Sequence, residues 1–299
     1  MPYKIAIASG KGGTGKTTVA VNLFMQLIKN SKGKIALIDC DVEEPNDTIF
    51  FRDSKKKADA EITQSIPSVD NNKCTFCRKC AEYCEYNAIV VIPPVKFAEV
   101  NASLCHSCGA CMVACEYDAI TEHDETIGTL SSYIVNHKYG IAEGRLKVGS
   151  VMQTMLIKEL KKRISNDHEI LIYDAPPGTT CQVVATISDV NYVILVAEPT
   201  PFGLHDMKLM VVLLRELDLS FGIIINKAGL GNNKIYEFIE QEGLDLLGEI
   251  PFNKNYAAQY AEGKLIENIP KEIKECYEVI NDNLFQKIMQ YEGNNSIER

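Results

Sequence analysis

The stretch KIAIASGKGGTGKTT, residues 4–18, decides the fold. Its apolar start (KIAIAS, 4–9) reads as a buried strand, and a helical pattern runs from about residue 16 to residue 30. The glycine-rich loop between them suits phosphate. Small residues let successive backbone N–H groups turn inward around phosphate oxygens, with the positive end of the following helix behind them. Lys16 is positioned to reach the β and γ phosphates and Thr17 to offer a hydroxyl to magnesium. The candidate nucleotide contacts are therefore Gly10, Lys11, Gly12, Gly13, Thr14, Gly15, Lys16, Thr17 and Thr18.

Working outward, KIALID (34–39) completes a β-α-β opening. After a long interruption the pattern resumes with a helix around 151–165 and strands at EILIYD (169–174), YVILVAE (192–198), FGIIIN (221–226) and LLGEI (246–250). Strands that are apolar throughout are buried on both faces, and alternating strands and helices predict a doubly wound, mostly parallel α/β sheet. The chain of 299 residues is 46% hydrophobic, enough for a packed core, and its net charge of -9 argues against non-specific nucleic-acid binding. No secretory signal pattern and no membrane-length apolar run is read, so a cytoplasmic location is expected. The helix predicted over 271–291 carries an apolar stripe (Ile273, Tyr277, Ile280, Leu284, Ile288), and its mixed polar face suits packing on the sheet better than membrane adsorption.

The interruption, residues 62–123, has its own signature. Cys74, Cys77, Cys80 and Cys84 recur as Cys105, Cys108, Cys111 and Cys115, each shifted by 31 positions, with EYNAI after one fourth cysteine and EYDAI after the other. The lysine-rich SKKKADAE (54–61) reads as a solvated linker into this unit. CxxCxxCxxxC in duplicate is the spacing that holds two iron-sulfur clusters, three cysteines of one run binding one cluster and the fourth ligating the other. One [4Fe-4S] cluster is thus expected on Cys74, Cys77, Cys80 and Cys115, and a second on Cys84, Cys105, Cys108 and Cys111. Zinc fits less well, because structural zinc sites take two separated cysteine pairs. Glu85 and Glu116 follow the fourth cysteines, where such motifs commonly carry proline, and bring negative charge beside each site.

KGGxGKT, with Lys11 in addition to Lys16, resembles the deviant Walker A loop of the MinD, ParA, Mrp and nitrogenase iron-protein group of ATPases. The resemblance implies a SIMIBI-type P-loop fold and a homodimer on ATP binding, in which Lys11 reaches the partner's phosphates. LIDCDVEEPN (37–46) is similar to the segment whose aspartate, here Asp41, lies near magnesium and the attacking water. ILIYDAPPGT (170–179) resembles the Walker B strand, giving Asp174 a role in holding magnesium alongside Thr17 and Asp41. IINKAGLG (224–231) and GEIPFN (248–253) resemble the segments beside the base, which implies Asn226 and Pro251 as adenine contacts. Cys181, seven positions after Asp174, is similarly spaced to a cluster cysteine of the nitrogenase iron protein, though a buried or interfacial role is the simpler expectation.

The insert resembles a small α+β bacterial two-[4Fe-4S] ferredoxin. The combination divides the chain into 1–61 and 124–299, an ATPase domain in two parts, around 62–123. It implies a magnesium-dependent ATP hydrolase with Lys11, Lys16 and Asp41 as catalytic groups, coupled to electron transfer or to metal-cluster assembly on a partner protein that the sequence does not identify. Two other functions are consistent with the motifs: a ParA- or MinD-like positioning ATPase with structural or redox-sensing clusters, and an iron-sulfur cluster carrier.

Overall fold

The structure, a computed structural model, describes residues 1–30, 33–164 and 167–297, with side chains to residue 289. In chain order the elements begin with β1 (Tyr3–Ala8), α1 (Lys16–Asn30), β2 (Ile35–Asp39) and β3 (Lys55–Val69). Short elements follow: α2 (Lys79–Glu82), β4 (Ile89–Ile92), β5 (Phe97–Val100) and α3 (Ala110–Ala114). Next come β6 (Ile120–Val135), β7 (Tyr139–Leu146), α4 (Gln153–Lys162), β8 (Ile170–Asp174), α5 (Cys181–Ile187) and β9 (Tyr192–Ala197). The chain ends with α6 (Pro201–Glu216), β10 (Phe221–Ala228), α7 (Lys234–Gln241), β11 (Leu246–Pro251), α8 (Lys254–Ala261) and α9 (Lys271–Ile297). The helix predicted over 151–165 corresponds to α4, and residue 165 lies outside the described residues.

The chain divides into two compact units. The first comprises Met1–Ala58, Ser131–Gly144 and Ile157–Arg299. Its strands follow the order β11-β10-β9-β1-β8-β2-β7, with parallel ladders throughout this stretch. Both faces are covered. Ile5, Ile7, Ile194 and Val196 belong to one apolar cluster with Phe24 of α1 and Tyr277 of α9. The intervening Ala6, Ala8, Val193 and Leu195 point the other way, as strand alternation requires, and are equally buried. The stripe of α9, Ile273, Tyr277, Ile280, Leu284 and Ile288, is buried against β11 and α1. Strand order reverses on either side of β1, so the carboxyl end of β1 opens into the crevice where doubly wound sheets bind ligands. That end leads directly into the glycine loop.

The second unit comprises Asp59–Leu130 and Arg145–Leu156, and contains the cysteine-rich stretch 62–123. An antiparallel pair, β4 with β5, and the short α2 and α3 are its local elements. SKKKADAE corrects the reading from sequence: it is no loop but the exposed first half of β3, along which the chain leaves the first unit. Lysine, alanine and aspartate are weak strand formers and neither face is buried there, so the alternation that marks a strand is missing until Ile62. β6 and β7 escaped notice for a related reason, since polar ITEHDETIGTLSSYIV shows little apolar alternation.

Candidate functional site

The glycine loop is shaped by two residues in the left-handed region, Gly13 at φ 77 and Gly15 at φ 95. A Cβ on Gly15 would lie 2.2 Å from the Asn226 side-chain nitrogen, so close approach also requires glycine there. Lys16 opens α1 almost fully buried. Burial lowers its pKa, while Asp174, Asp41 and Asp39 act in the opposite sense. Thr17 Oγ1 donates to Asp174 Oδ2 at 2.7 Å, which brings together two of the three expected magnesium ligands. A cavity of about 250 Å³ runs from Gly13 and Gly15–Thr18 to Asn226, Pro251 and Tyr256.

Asn226 is engaged locally as well as lining this cavity. Its Nδ2 donates to the Thr14 carbonyl at 2.7 Å, and its Oδ1 accepts from the Lys227 N–H at 2.9 Å. Lys11, the additional loop lysine, forms an ion pair with Glu198 Oε1. Lys227 pairs with the second oxygen of Glu198 at 2.9 Å and donates to the Gly13 carbonyl at 2.8 Å. Glu198 therefore holds two cations against the loop. The sequence reading missed both Glu198 and Lys227; their only signal is that each ends or nearly ends a core strand on the sheet's carboxyl side.

Three carboxylates, Asp39, Asp47 and Asp174, bring ligand atoms within 4.8 Å of one another. Only Asp174 was expected from the sequence. Asp39 ends β2 and accepts N–H groups from Asp41 at 3.0 Å, Asn46 at 2.6 Å and Asp47 at 3.0 Å, folding the segment after β2 around its carboxylate. Burial and the neighbouring Asp174 raise the Asp39 pKa to about 8, and burial raises Asp174 to about 6 against the pull of Lys16. Asp47 is pushed up by burial and by Asp39. Both Asp47 oxygens and Asp174 Oδ1 are buried without a hydrogen-bond partner. Such uncompensated acids suit a divalent cation. Asp41 lies beside this group, half-buried, with burial raising its pKa and Lys16 lowering it.

In the second unit the eight repeat cysteines line two cavities, four to each. Cys74, Cys77, Cys80 and Cys115 line one, and Cys84, Cys105, Cys108 and Cys111 the other. The fourth cysteine of each run thus faces the cavity of the opposite run. Backbone N–H groups point at sulfur: Phe76 to Cys74 Sγ and Ser107 to Cys105 Sγ at 3.4 Å, and Ala88 to Cys84 Sγ at 3.3 Å. Among the described residues, the only metal-ligating trio within 4.8 Å is the aspartate group, so no three cysteine sulfurs approach that closely. A single tetrahedral zinc, at Zn–S about 2.3 Å, requires sulfurs about 3.8 Å apart. Two separate sets of four thiol donors suit iron-sulfur ligation. The three remaining cysteines lie elsewhere, Cys40 buried, Cys276 half-buried and Cys181 exposed at the start of α5.

An uncharacterized protein of Methanocaldococcus jannaschii is 31% identical over 262 residues, covering 87% of this chain and 90% of that protein. An iron-sulfur cluster carrier protein of Pyrococcus abyssi is 24% identical over 266 residues, covering 84% of this chain and 74% of the relative. The fold resembles that of the Pyrococcus horikoshii septum site-determining protein MinD, solved with Mg-ADP, at a TM-score of 0.55 and 20% identity, over 95% of this chain and 96% of that one. The CbiA family profile matches residues 5–266, and with the glycine loop at the carboxyl end of β1 the chain belongs to this CobQ/CobB/MinD/ParA nucleotide binding domain family.

Proposed function

We infer that the protein is a magnesium-dependent ATPase, dimeric when ATP is bound, whose nucleotide state governs two [4Fe-4S] clusters in an inserted ferredoxin-like domain over 62–123. The observation that carries this reading is the pairing of a phosphate loop with two four-cysteine cavities in one chain. In the nucleotide site, backbone N–H groups of Gly12–Thr18 and the Lys16 ammonium bind the phosphates, and Asn226 and Pro251 flank the base. Thr17 and Asp174, with Asp41 nearby, would hold magnesium, which when bound would neutralise charge at the phosphates. Asp41 orients the attacking water. Lys11 leaves Glu198 to meet the partner subunit's nucleotide, which accounts for a loop lysine stored in an ion pair.

The clusters supply one-electron chemistry when bound. Cys74, Cys77, Cys80 and Cys115 would hold one, and Cys84, Cys105, Cys108 and Cys111 the other. The segment carrying Asp41 and Asp47 runs into β3 and so into the cysteine unit, giving hydrolysis a covalent route to it. The acceptor is an electron-transfer or metalloprotein partner. Anaerobic purification with iron and sulfide analysis, then EPR of the reduced protein with and without MgATP, tests the reading. Two interacting signals that respond to nucleotide are expected; a zinc protein without EPR signals would overturn it. The Pyrococcus relative favours a second reading, cluster delivery, which predicts instead that iron and sulfide pass to an acceptor apo-protein.

A further inference from the structure

The two cysteine runs share a backbone. Phe76 and Ser107 adopt φ 56 and 52, Arg78 and Gly109 adopt 70 and 73, and Asn87 and Asp118 adopt 51 and 50, each pair 31 positions apart. The repeat extends to hydrogen bonds, Asp70 N–H to the Ala119 carbonyl at 2.8 Å and Asn101 N–H to the Ala88 carbonyl at 2.7 Å. On the walls of the two cysteine cavities the halves differ in charge. At the same shift Arg78 becomes Gly109, Lys79 becomes Ala110 and Val91 becomes Glu122, whereas the acids Glu85 and Glu116 match.

These differences fall on the cavity walls. Arg78, Lys79 and Val91 line the cavity of Cys74, Cys77, Cys80 and Cys115. Glu122 lines the other, beside Tyr86 and His106, whose rings stack with centroids 3.8 Å apart. Lys79 is balanced by Glu116 at 2.6 Å, but Arg78 has no ion-pair partner among the described residues. Arg78 also holds a left-handed backbone position in which its counterpart is glycine, a conformation that disfavours any residue with a Cβ.

We propose that Arg78 and Glu122 order the two centres: the one held by Cys74, Cys77, Cys80 and Cys115 has the higher reduction potential and is where a single electron added to the unit resides. This rests on the reading that each quartet holds a [4Fe-4S] cluster. Reduction adds one negative charge to a centre, with no bond made or broken. The guanidinium at one wall stabilises that added charge, and the carboxylate at the other opposes it. Glu85 and Glu116 match in position, but Glu116 is paired with Lys79 whereas the other half has Ala110 in place of that lysine, a difference in the same direction. A single charge at a partly exposed wall shifts a one-electron equilibrium on the order of tenfold, which corresponds to about 59 mV.

The test exchanges counterparts between the halves in the full-length, anaerobically purified protein, with dithionite titration followed by EPR. Arg78→Gly relieves the backbone while removing the charge, so folding is preserved; Glu122→Val takes the residue that the other half already uses. The expected result is that Arg78→Gly lowers the higher potential by roughly tenfold in its equilibrium, about 59 mV, and leaves the lower one in place. Glu122→Val raises the lower potential, and the double variant brings the two together. Gly109→Arg, strained at φ 73 as Arg78 is at its own position but with nothing within 4 Å of the added Cβ, raises the lower potential as well. Wild-type protein lacking iron and sulfide would overturn the cluster reading beneath the proposal. Two intact clusters whose potentials ignore both Arg78→Gly and Glu122→Val, or a shift of the lower potential by Arg78→Gly, would overturn the proposal alone.

Discussion

In the nucleotide unit Ile5, Phe24, Leu37, Ile194 and Tyr277 join one large, mainly aliphatic and aromatic interior, whereas the buried clusters described in the cysteine unit are small and built partly from its repeat thiols. Cys80 and Cys111 pack with Ile89 and Ile120, and Cys105 with Ile66 and Ala88. Thiols form part of these interiors, so a metal group bound by them adds directly to what holds the unit folded. The first unit should therefore fold without its ligand and the second should not.

The sharpest break between the units comes from removing iron. Chelation under reducing conditions is expected to abolish amide-exchange protection across 59–130, while β1, β8 and β9 keep their slow exchange; equal protection before and after would show that the second unit does not need its metal. Next in size, Lys16→Ala should lower MgATP hydrolysis by about 10²–10³-fold, since it removes a charge that acts directly on the transferred phosphoryl group, and should leave iron content unchanged. Loss of iron in that variant would mean that the units do not fold independently.

A smaller effect separates the nucleotide unit by pH. Folded Asp39 and Asp174 have pKa values of about 8 and about 6, above the ordinary 3.8, so the folded state keeps protons that the unfolded chain has released. Stability of the nucleotide-free protein should then fall as pH rises from about 4 toward 8. Asp39→Asn should flatten that slope and raise Tm near neutral pH by several degrees, at about 2–4 °C per kcal/mol; thermal melts across the range check it, and a slope of opposite sign would refute the assignment. Smallest is Asn226→Ala, which deletes the bond to the Thr14 carbonyl. A loss of about 1 kcal/mol, roughly fivefold in nucleotide affinity, is expected by titration calorimetry.

The same contrast governs what could be read from the sequence. The central strands β1, β2, β8, β9 and β10 announce themselves because they are apolar and buried, and β1, the glycine loop and α1 form a local signal that needs no distant contact. The cysteine spacing was equally plain, since a 31-residue repeat is visible without knowing any fold. Asp39 and Asp47 were not legible as partners of Asp174: the first passes for a strand end and the second for a turn former, and only the hydrogen bonds of the segment after β2 bring them together. Glu198 and Lys227 were missed for the same reason, because their meeting with each other and with the glycine loop depends on β9 lying between β1 and β10. Strand β3 was hidden by lysines exposed on both faces.

Coupling between nucleotide state and the cysteine centres is the claim on which the functional reading stands. Its most direct measurement is the pair of reduction potentials in wild-type and Lys16→Ala protein with no nucleotide, with MgADP and with a non-hydrolysable MgATP analogue. In the wild type the analogue is expected to shift at least one potential, and in Lys16→Ala that shift is expected to disappear; identical potentials under all three conditions in the wild type would contradict the coupling.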